Sequence, residues 1–243
     1  MLSKEELLRY KRHLDLPDFG IDKQLLLKSA KVLVIGAGGL GSPVLYYLTA
    51  AGVGNIGIVE NDVVDISNLQ RQILYNTNEI GMPKVEIAAK KLKELNPNVN
   101  FNIFNTRLNE SNAEDIIKDY EVVVDCPDNF STRLIISDVT KKMAIPHIYA
   151  GVSNYQGQIS VFNYKGSCTF RDLFPDINPS VSDKNVTDAD KALLGVLPGI
   201  IGSIMAIETI KVITNLGTTL CDKLLIVDIK DMSFHLLDIS SNK

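Results

Sequence analysis

Two cations and a carboxamide stand close together between residues 68 and 84. Asn68 and Arg71 fall in the stretch DISNLQRQ (65–72), and Lys84 opens the helical pattern that follows. Such a set suits a polyanion: a nucleoside triphosphate carries a charge of about −4 and needs several donors in a dry cleft. Upstream, Gly36-Ala37-Gly38-Gly39-Leu40-Gly41 satisfies G-x-G-x-x-G. In that turn the first glycine permits the bend, the second admits a phosphate to the backbone, and the third lets helix and strand pack closely. Glu60 follows 24 residues after Gly36, where an acid can accept hydrogen bonds from ribose hydroxyls. Downstream, Asp125 and Asp128 in DCPDN are carboxylates able to hold Mg²⁺. The glycine turn and Glu60 alone favour NAD. The cations change that reading, because a dehydrogenase needs a nicotinamide site and a proton donor, not a cation cluster beside its first phosphate.

The elements around these residues are those of an open parallel sheet. KVLVIG (31–36) is a continuous apolar run, as expected for a strand buried on both faces. A glycine turn and a helix ending near Gly52 or Gly54 follow, then a strand over 55–60. Residues 82–97 read as a helix opened by Pro83 and stopped before Pro97. Further strands are expected at 99–105, 121–126 and 146–152, with helices at 112–120 and 131–144 between them; 2–13 and 22–29 are also helical. Alternation of this kind predicts an α/β chain with a Rossmann-like, doubly wound, mostly parallel sheet. Ligands of such sheets gather at the carboxyl ends of the strands, and Asp125 and Asp128 fall just past one of these ends. The pattern then changes. Residues 156–164 alternate like an antiparallel strand, and 165–192 show little periodicity. A helix around 198–214 precedes two strands, 222–229 and 232–239, joined by a turn at Lys230-Asp231. Antiparallel C-terminal strands should therefore extend the sheet. No linker or repeat divides the chain, so one domain over 1–243 is expected.

The 243 residues are 45% hydrophobic and 22% charged with a net charge of −4, an ordinary globular balance that argues against broad binding to nucleic acid or anionic lipid. The three cysteines, Cys126, Cys168 and Cys221, are far apart and form no C-x-x-C, so reduced, mostly buried thiols are expected. The first residues are charged from position 4 and lack a signal-peptide core. The longest apolar run, 193–207, is too short to span a membrane and contains Pro198, Gly199 and Gly202. It reads as a buried helix, and a cytoplasmic location is expected.

Longer matches make the reading specific. RYKRHL (9–14), the run from Val32 to Tyr75, IGMPKVEIAAKKLKELNP (80–97), VVVDCPDNFSTR (122–133), YQGQISVFN (155–163), RDLFP (171–175) and GVLPGIIGSIMAIETIK (195–211) occur in this order. Together they resemble the ThiF/MoeB/HesA family, bacterial relatives of ubiquitin-activating enzymes. The likeness covers nearly the whole chain, and Val59 to Gln72 is its most discriminating part. The resemblance implies ATP-dependent adenylylation of the C-terminal glycine of a small ubiquitin-like sulfur-carrier protein, ThiS-like by preference and MoaD-like next. It implies that Gly36, Gly38, Gly39 and Gly41 line the phosphates and that Glu60, where relatives more often have Asp, holds the ribose. It places Asp62 in the same nucleotide pocket, Asn68, Arg71 and Lys84 on the phosphates, and Asp128 on Mg²⁺. Arg12 would reach the nucleotide of a partner subunit, which makes a homodimer the expected assembly. No general base is needed, since a terminal carboxylate with a pKa of about 3.5 is already ionised at pH 7.

The chain departs from that family at three places. Many relatives hold a structural zinc through two C-x-x-C pairs; here the first pair falls on Cys168 and Arg171, and the second is missing. No zinc is therefore expected, with Arg171 and Asp172 forming a salt-bridged turn in its place. The cysteine that many relatives carry before GVLPG is replaced near Asp188, so no thioester or persulfide step is expected there. No rhodanese-like extension is visible, so sulfur would come from a separate donor protein. Other readings are a noncatalytic binding subunit, an enzyme that adenylates a ribosomal peptide, and, last, an NAD-dependent oxidoreductase.

Overall fold

A computed structural model of the chain describes residues 1–177 and 192–240. Eight strands form one sheet in the order β3-β2-β1-β4-β5-β6-β7-β8: β1 Lys31–Ile35, β2 Asn55–Val59, β3 Asn100–Phe104, β4 Val122–Asp125, β5 His147–Ser153, β6 Gln156–Phe162, β7 Lys223–Asp228 and β8 Ser233–Asp238. The first five pair in parallel and β5 through β8 pair antiparallel. The order reverses direction at β1, with β2 on one side and β4 on the other, and the carboxyl ends of these strands carry the glycine turn, Glu60 and the DCPDN loop.

Alternation along β1 shows why both faces are covered. Val32 and Val34 join a core with α4 (Gly41–Ala51), α5 (Lys84–Leu95) and α9 (Val196–Thr214), through Leu45, Leu48, Val85, Leu92, Ile201 and Met205. Leu33 and Ile35 point the other way, against α6 (Ala113–Ile117) and α7 (Phe130–Met143), through Ile116, Ile117, Ile136 and Val139. A third cluster under the antiparallel strands stacks Tyr149, Phe162 and Phe170, the last from the short helix α8 (Phe170–Leu173).

Several expected boundaries shift for local reasons. The N-terminal helix is two pieces, α1 (Lys4–Arg9) and α2 (Lys11–Leu14), broken at Tyr10, whose φ of −96° and ψ of 11° are not helical. Gly20–Ser29 forms α3. Residue 82 lies outside α5 because Pro83, with ψ 123°, is its extended N-cap. The connection between β7 and β8 is longer than a two-residue turn: Asp228 accepts from the Lys230 and Asp231 amides, and Met232 takes a φ of 51°. α9 is long and apolar enough to cross a membrane by length and composition alone, but it packs on α4, β5 and β6 and carries the buried residues Leu197, Ile201, Met205 and Val212. Glu208 on α9 is itself buried, bonded to the Leu220 amide and to Lys211.

The expected turn of Arg171 with Asp172 is corrected. Arg171 forms a two-pronged ion pair with Asp138 of α7, at 2.5 and 2.7 Å, while Asp172 closes a capping box with Thr169. Thr169 stands three residues before Asp172, the spacing a capping box requires, and the other Asp172 oxygen faces Lys141 at 3.7 Å. Cys126 and Cys168 are buried and Cys221 is half-buried. Asp188 lies outside the described residues.

Candidate active site

The glycine turn owes its shape to two close approaches. Gly36 has a φ of 94°, and a side chain there would strike the Cys126 carbonyl at 2.9 Å. A Cβ on Gly41 would lie 2.0 Å from the Gly36 oxygen, so any other residue would push α4 off β1. The helix opens at Leu40 with no side-chain cap. The Ala37 amide donates to Glu60, but the Gly38, Gly39, Leu40 and Gly41 amides donate to nothing among the described residues. A helix N-terminus with unused donors favours a bound anion.

Four side chains close around this turn. Glu60 accepts from the Ala37 amide with one oxygen (3.0 Å), and from the Asn61 and Asp62 amides with the other (2.8 and 3.0 Å). Its longer stem lets one carboxylate tie the turn to the loop after β2, with lone pairs to spare for hydroxyl donors. Arg71 lays its stem on the turn: a Cβ on Gly39 would sit 3.4 Å from Arg71 Cγ. Arg71 is half-buried, and among the described residues its guanidinium donates only to the Ser67 carbonyl, at 3.1 Å. Gln72 places its amide nitrogen 3.5 Å from where a Gly38 Cβ would be. Tyr75 donates its hydroxyl to the Ala37 carbonyl at 2.9 Å, and burial, then the charges of Glu60 and Glu79, raise its pKa so that it stays protonated.

Lys84 is the most telling group. Its side chain is 4% exposed, yet among the described residues its ammonium meets one partner, Asp62 at 3.2 Å, whose carboxylate is 66% exposed. Three donors facing one solvated acceptor leave a desolvated cation short of negative charge. It also sits at the start of α5, where a cation opposes the helix dipole unless an anion is near.

The structure thus gathers Gly36 to Gly41, Glu60 and Arg71 at the glycine turn, with Asp62 tied to Glu60 through its amide and Lys84 tied to Asp62. Asn68 is half-buried in the same loop, where its carbonyl accepts from the Arg71 and Gln72 amides; among the described residues its side-chain amide donates only to the Ser67 hydroxyl, at 3.4 Å. Asp128 stands two residues past Cys126, exposed and without a hydrogen bond among the described residues. Asn129, not Asp128, caps α7 by accepting from the Thr132 amide. Arg12 is exposed on α2, and no contact links it to the cleft. Asp125, paired with Asp128 in the sequence reading as a metal acid, is corrected to a structural group. It is fully buried, bonded to Arg133 at 3.2 Å and to His147 at 2.9 Å. Arg133 also donates to the Ala150 and Pro127 carbonyls and lies over the Tyr149 ring. Among the described residues no group of three or more His, Cys, Asp or Glu could hold a metal ion.

Gln72 and Tyr75 were not among the site residues expected from sequence. The signal was present: three residues apart, they share one face of the turn-rich segment after Asn68.

Comparison with known proteins places the chain in a family. The model of the ThiF family matches residues 10–243. A probable molybdopterin-synthase adenylyltransferase of Porphyra purpurea is 46% identical over 96% of this chain and 61% of its own length. A sulfur carrier protein adenylyltransferase of Thermus thermophilus is 42% identical over 99% of this chain and 90% of its own. The chain therefore spans about three fifths of the first relative and nearly all of the second. Among solved structures, selenomethionine PaaA superposes with a TM-score of 0.84, at 24% identity, over 98% of this chain and 84% of that one, a likeness of fold.

Proposed function

Since the chain belongs to the ThiF family, we propose that it adenylylates the C-terminal carboxylate of a small ubiquitin-like sulfur carrier, consuming ATP and releasing pyrophosphate. The single observation that carries this reading is the buried Lys84, held by one exposed carboxylate beside an uncapped glycine turn. Cation and amide donors gather past the ends of β1 and β2; among the described residues the Gly38 to Gly41 amides have no acceptor and the buried Lys84 ammonium has one.

The chemistry asks little beyond placement and charge. The carrier carboxylate, already ionised, attacks the α-phosphorus; a new C(O)–O–P bond forms as the bond to the pyrophosphate oxygen breaks. Two anions must meet, so neutralisation is the main demand. The Gly38 to Gly41 amides face the phosphates, the Arg71 guanidinium reaches across Gly39, and Lys84 balances the leaving pyrophosphate. Glu60 accepts from the ribose while keeping the turn in register. Asp128, exposed and without a hydrogen bond among the described residues, is the carboxylate that would hold a magnesium ion beside the triphosphate. Bound there, Mg²⁺ would offset charge on the triphosphate.

Arg12 is proposed to serve a second copy of this chain. A mixture of Arg12→Ala and Arg71→Ala variants, each inactive alone, should recover about a quarter of the parental rate if sites are shared across a two-fold dimer. No recovery would confine Arg12 to its own chain. The carrier itself is ThiS-like on overall resemblance, whereas the name of the Porphyra relative favours a MoaD-like one. ATP–pyrophosphate exchange with each carrier separates the two. Exchange that needs a carrier with a free C-terminal glycine supports the proposal; exchange with neither carrier, from a chain that binds ATP, would refute it.

A further inference from the structure

We propose that Gly195, the residue from which α9 starts, is a positioning residue for Arg71: the side chain it lacks leaves room for the peptide group that carries the arginine. This rests on the ATP-dependent reading above and concerns how that site is held in place, not a further phosphate contact. Gly195 has a φ of −56° and a ψ of −26°, helical values that any residue adopts, so its backbone does not require glycine. The space beside it does. A Cβ on Gly195 would overlap the Gln70 carbonyl oxygen and lie 2.6 Å from Gln70 Oε1 and 2.9 Å from the Gln70 carbonyl carbon. That carbonyl shares one planar unit with the Arg71 nitrogen, so a push on its oxygen moves the Arg71 Cα with it. Arg71 and α9 also meet on the glycine turn, where a Gly39 Cβ would sit 3.4 Å from Arg71 Cγ and 3.4 Å from Pro198 Cβ and Cγ.

Which side would yield decides the consequence. α9 is anchored: Leu197, Ile201 and Met205 are fully buried, and Gly202 brings the helix so near α4 that a Cβ there would lie 2.7 Å from the Leu40 carbonyl oxygen. The chain entering α9 is tied too, the Asn154 amide donating to the Ala192 carbonyl at 2.7 Å and the Leu194 amide to the Asn154 carbonyl at 3.4 Å. Gln70, by contrast, is exposed in a short loop. A side chain at 195 would therefore displace the loop, and the guanidinium with it. Gly199, four residues further along the same helix, is the internal control, since nothing lies within 4 Å of where its Cβ would be.

Calorimetry with adenosine 5′-(α,β-methylene)triphosphate and Mg²⁺ reads the effect. Gly195→Ala should weaken binding about tenfold to a hundredfold, the range for losing a hydrogen bond to a charged group, while Gly199→Ala keeps the parental affinity. Coupling is the readout that a merely structural role would not move. In an Arg71→Ala background Gly195→Ala should cost less than about twofold, because the group it displaces is already gone. Gln70→Gly, at an exposed position, loosens the same peptide and should weaken binding about threefold to tenfold, a loss again masked by Arg71→Ala. Parental affinity in a folded Gly195→Ala chain, or a loss that persists undiminished without Arg71, would overturn the inference and leave the adenylylation reading standing. Should Gly195→Ala not fold, Gln70→Gly decides, and its parental affinity would overturn the inference in the same way. A parent chain that binds no nucleotide would remove both readings together.

Discussion

Two carboxylates three residues apart do opposite things. Asp125 ends β4 with no solvent exposure, and both of its oxygens are taken by Arg133 and His147. Asp128 lies on the surface with nothing bonded to it among the described residues. The same contrast separates the cations: Arg133 is buried and spreads its donors over one carboxylate and two carbonyls, whereas Lys84 is buried and faces one exposed carboxylate. Satisfied polar groups hold the sheet ends together. Unsatisfied ones mark where something else must bind. Burial alone would have grouped Arg133 with Lys84, and sequence position alone grouped Asp125 with Asp128.

The contrast can be tested group by group. Asp125→Ala should cost about 3–5 kcal/mol of unfolding free energy, because it strands Arg133 as an unpaired buried charge. Urea melts read this directly, and a loss below about 1 kcal/mol, ordinary for a surface site, would erase the distinction. Lys84→Met should lower the pyrophosphate exchange rate about 10²–10³-fold, as for removal of one transition-state donor, without lowering the melting temperature. If that variant instead unfolds more readily, Lys84 belongs with the structural set. Asp128→Asn should reduce exchange by about tenfold to a hundredfold, partly recovered at raised Mg²⁺, and leave stability within about 0.5 kcal/mol. The smallest effect is expected from Tyr75→Phe, which loses one neutral hydrogen bond to the Ala37 carbonyl: about a threefold to tenfold rise in KM for ATP with kcat little changed. A drop in kcat alone would mean that Tyr75 does more than hold the turn.

Much of the fold was legible because its signals are local and repeated. The apolar run 31–36, the glycine turn and the alternation of strand and helix patterns specify β1, α4 and the parallel half without tertiary information. Alternation at 156–164 likewise marks the start of the antiparallel half. The exceptions needed tertiary contacts. Arg171 looked paired with its neighbour Asp172 but meets Asp138 on α7. The glycines, Glu60, Arg71 and Lys84 could be singled out in the sequence because their charge and spacing suit a polyanion, the role proposed for them here. Gln72 was harder to recognise because it is neutral, and Tyr75 because an aromatic in an apolar stretch reads as core. Nothing in DCPDN distinguishes its two acids; only the buried arginine and histidine beside the first do so.

The most direct measurement is a crystal structure of the chain with adenosine 5′-(α,β-methylene)triphosphate and Mg²⁺. The triphosphate should lie over Gly38 to Gly41, with the Arg71 guanidinium and the Lys84 ammonium within about 2.7–3.2 Å of its oxygens. Phosphates bound elsewhere, with Lys84 still on Asp62 and Arg71 still on the Ser67 carbonyl, would contradict the account.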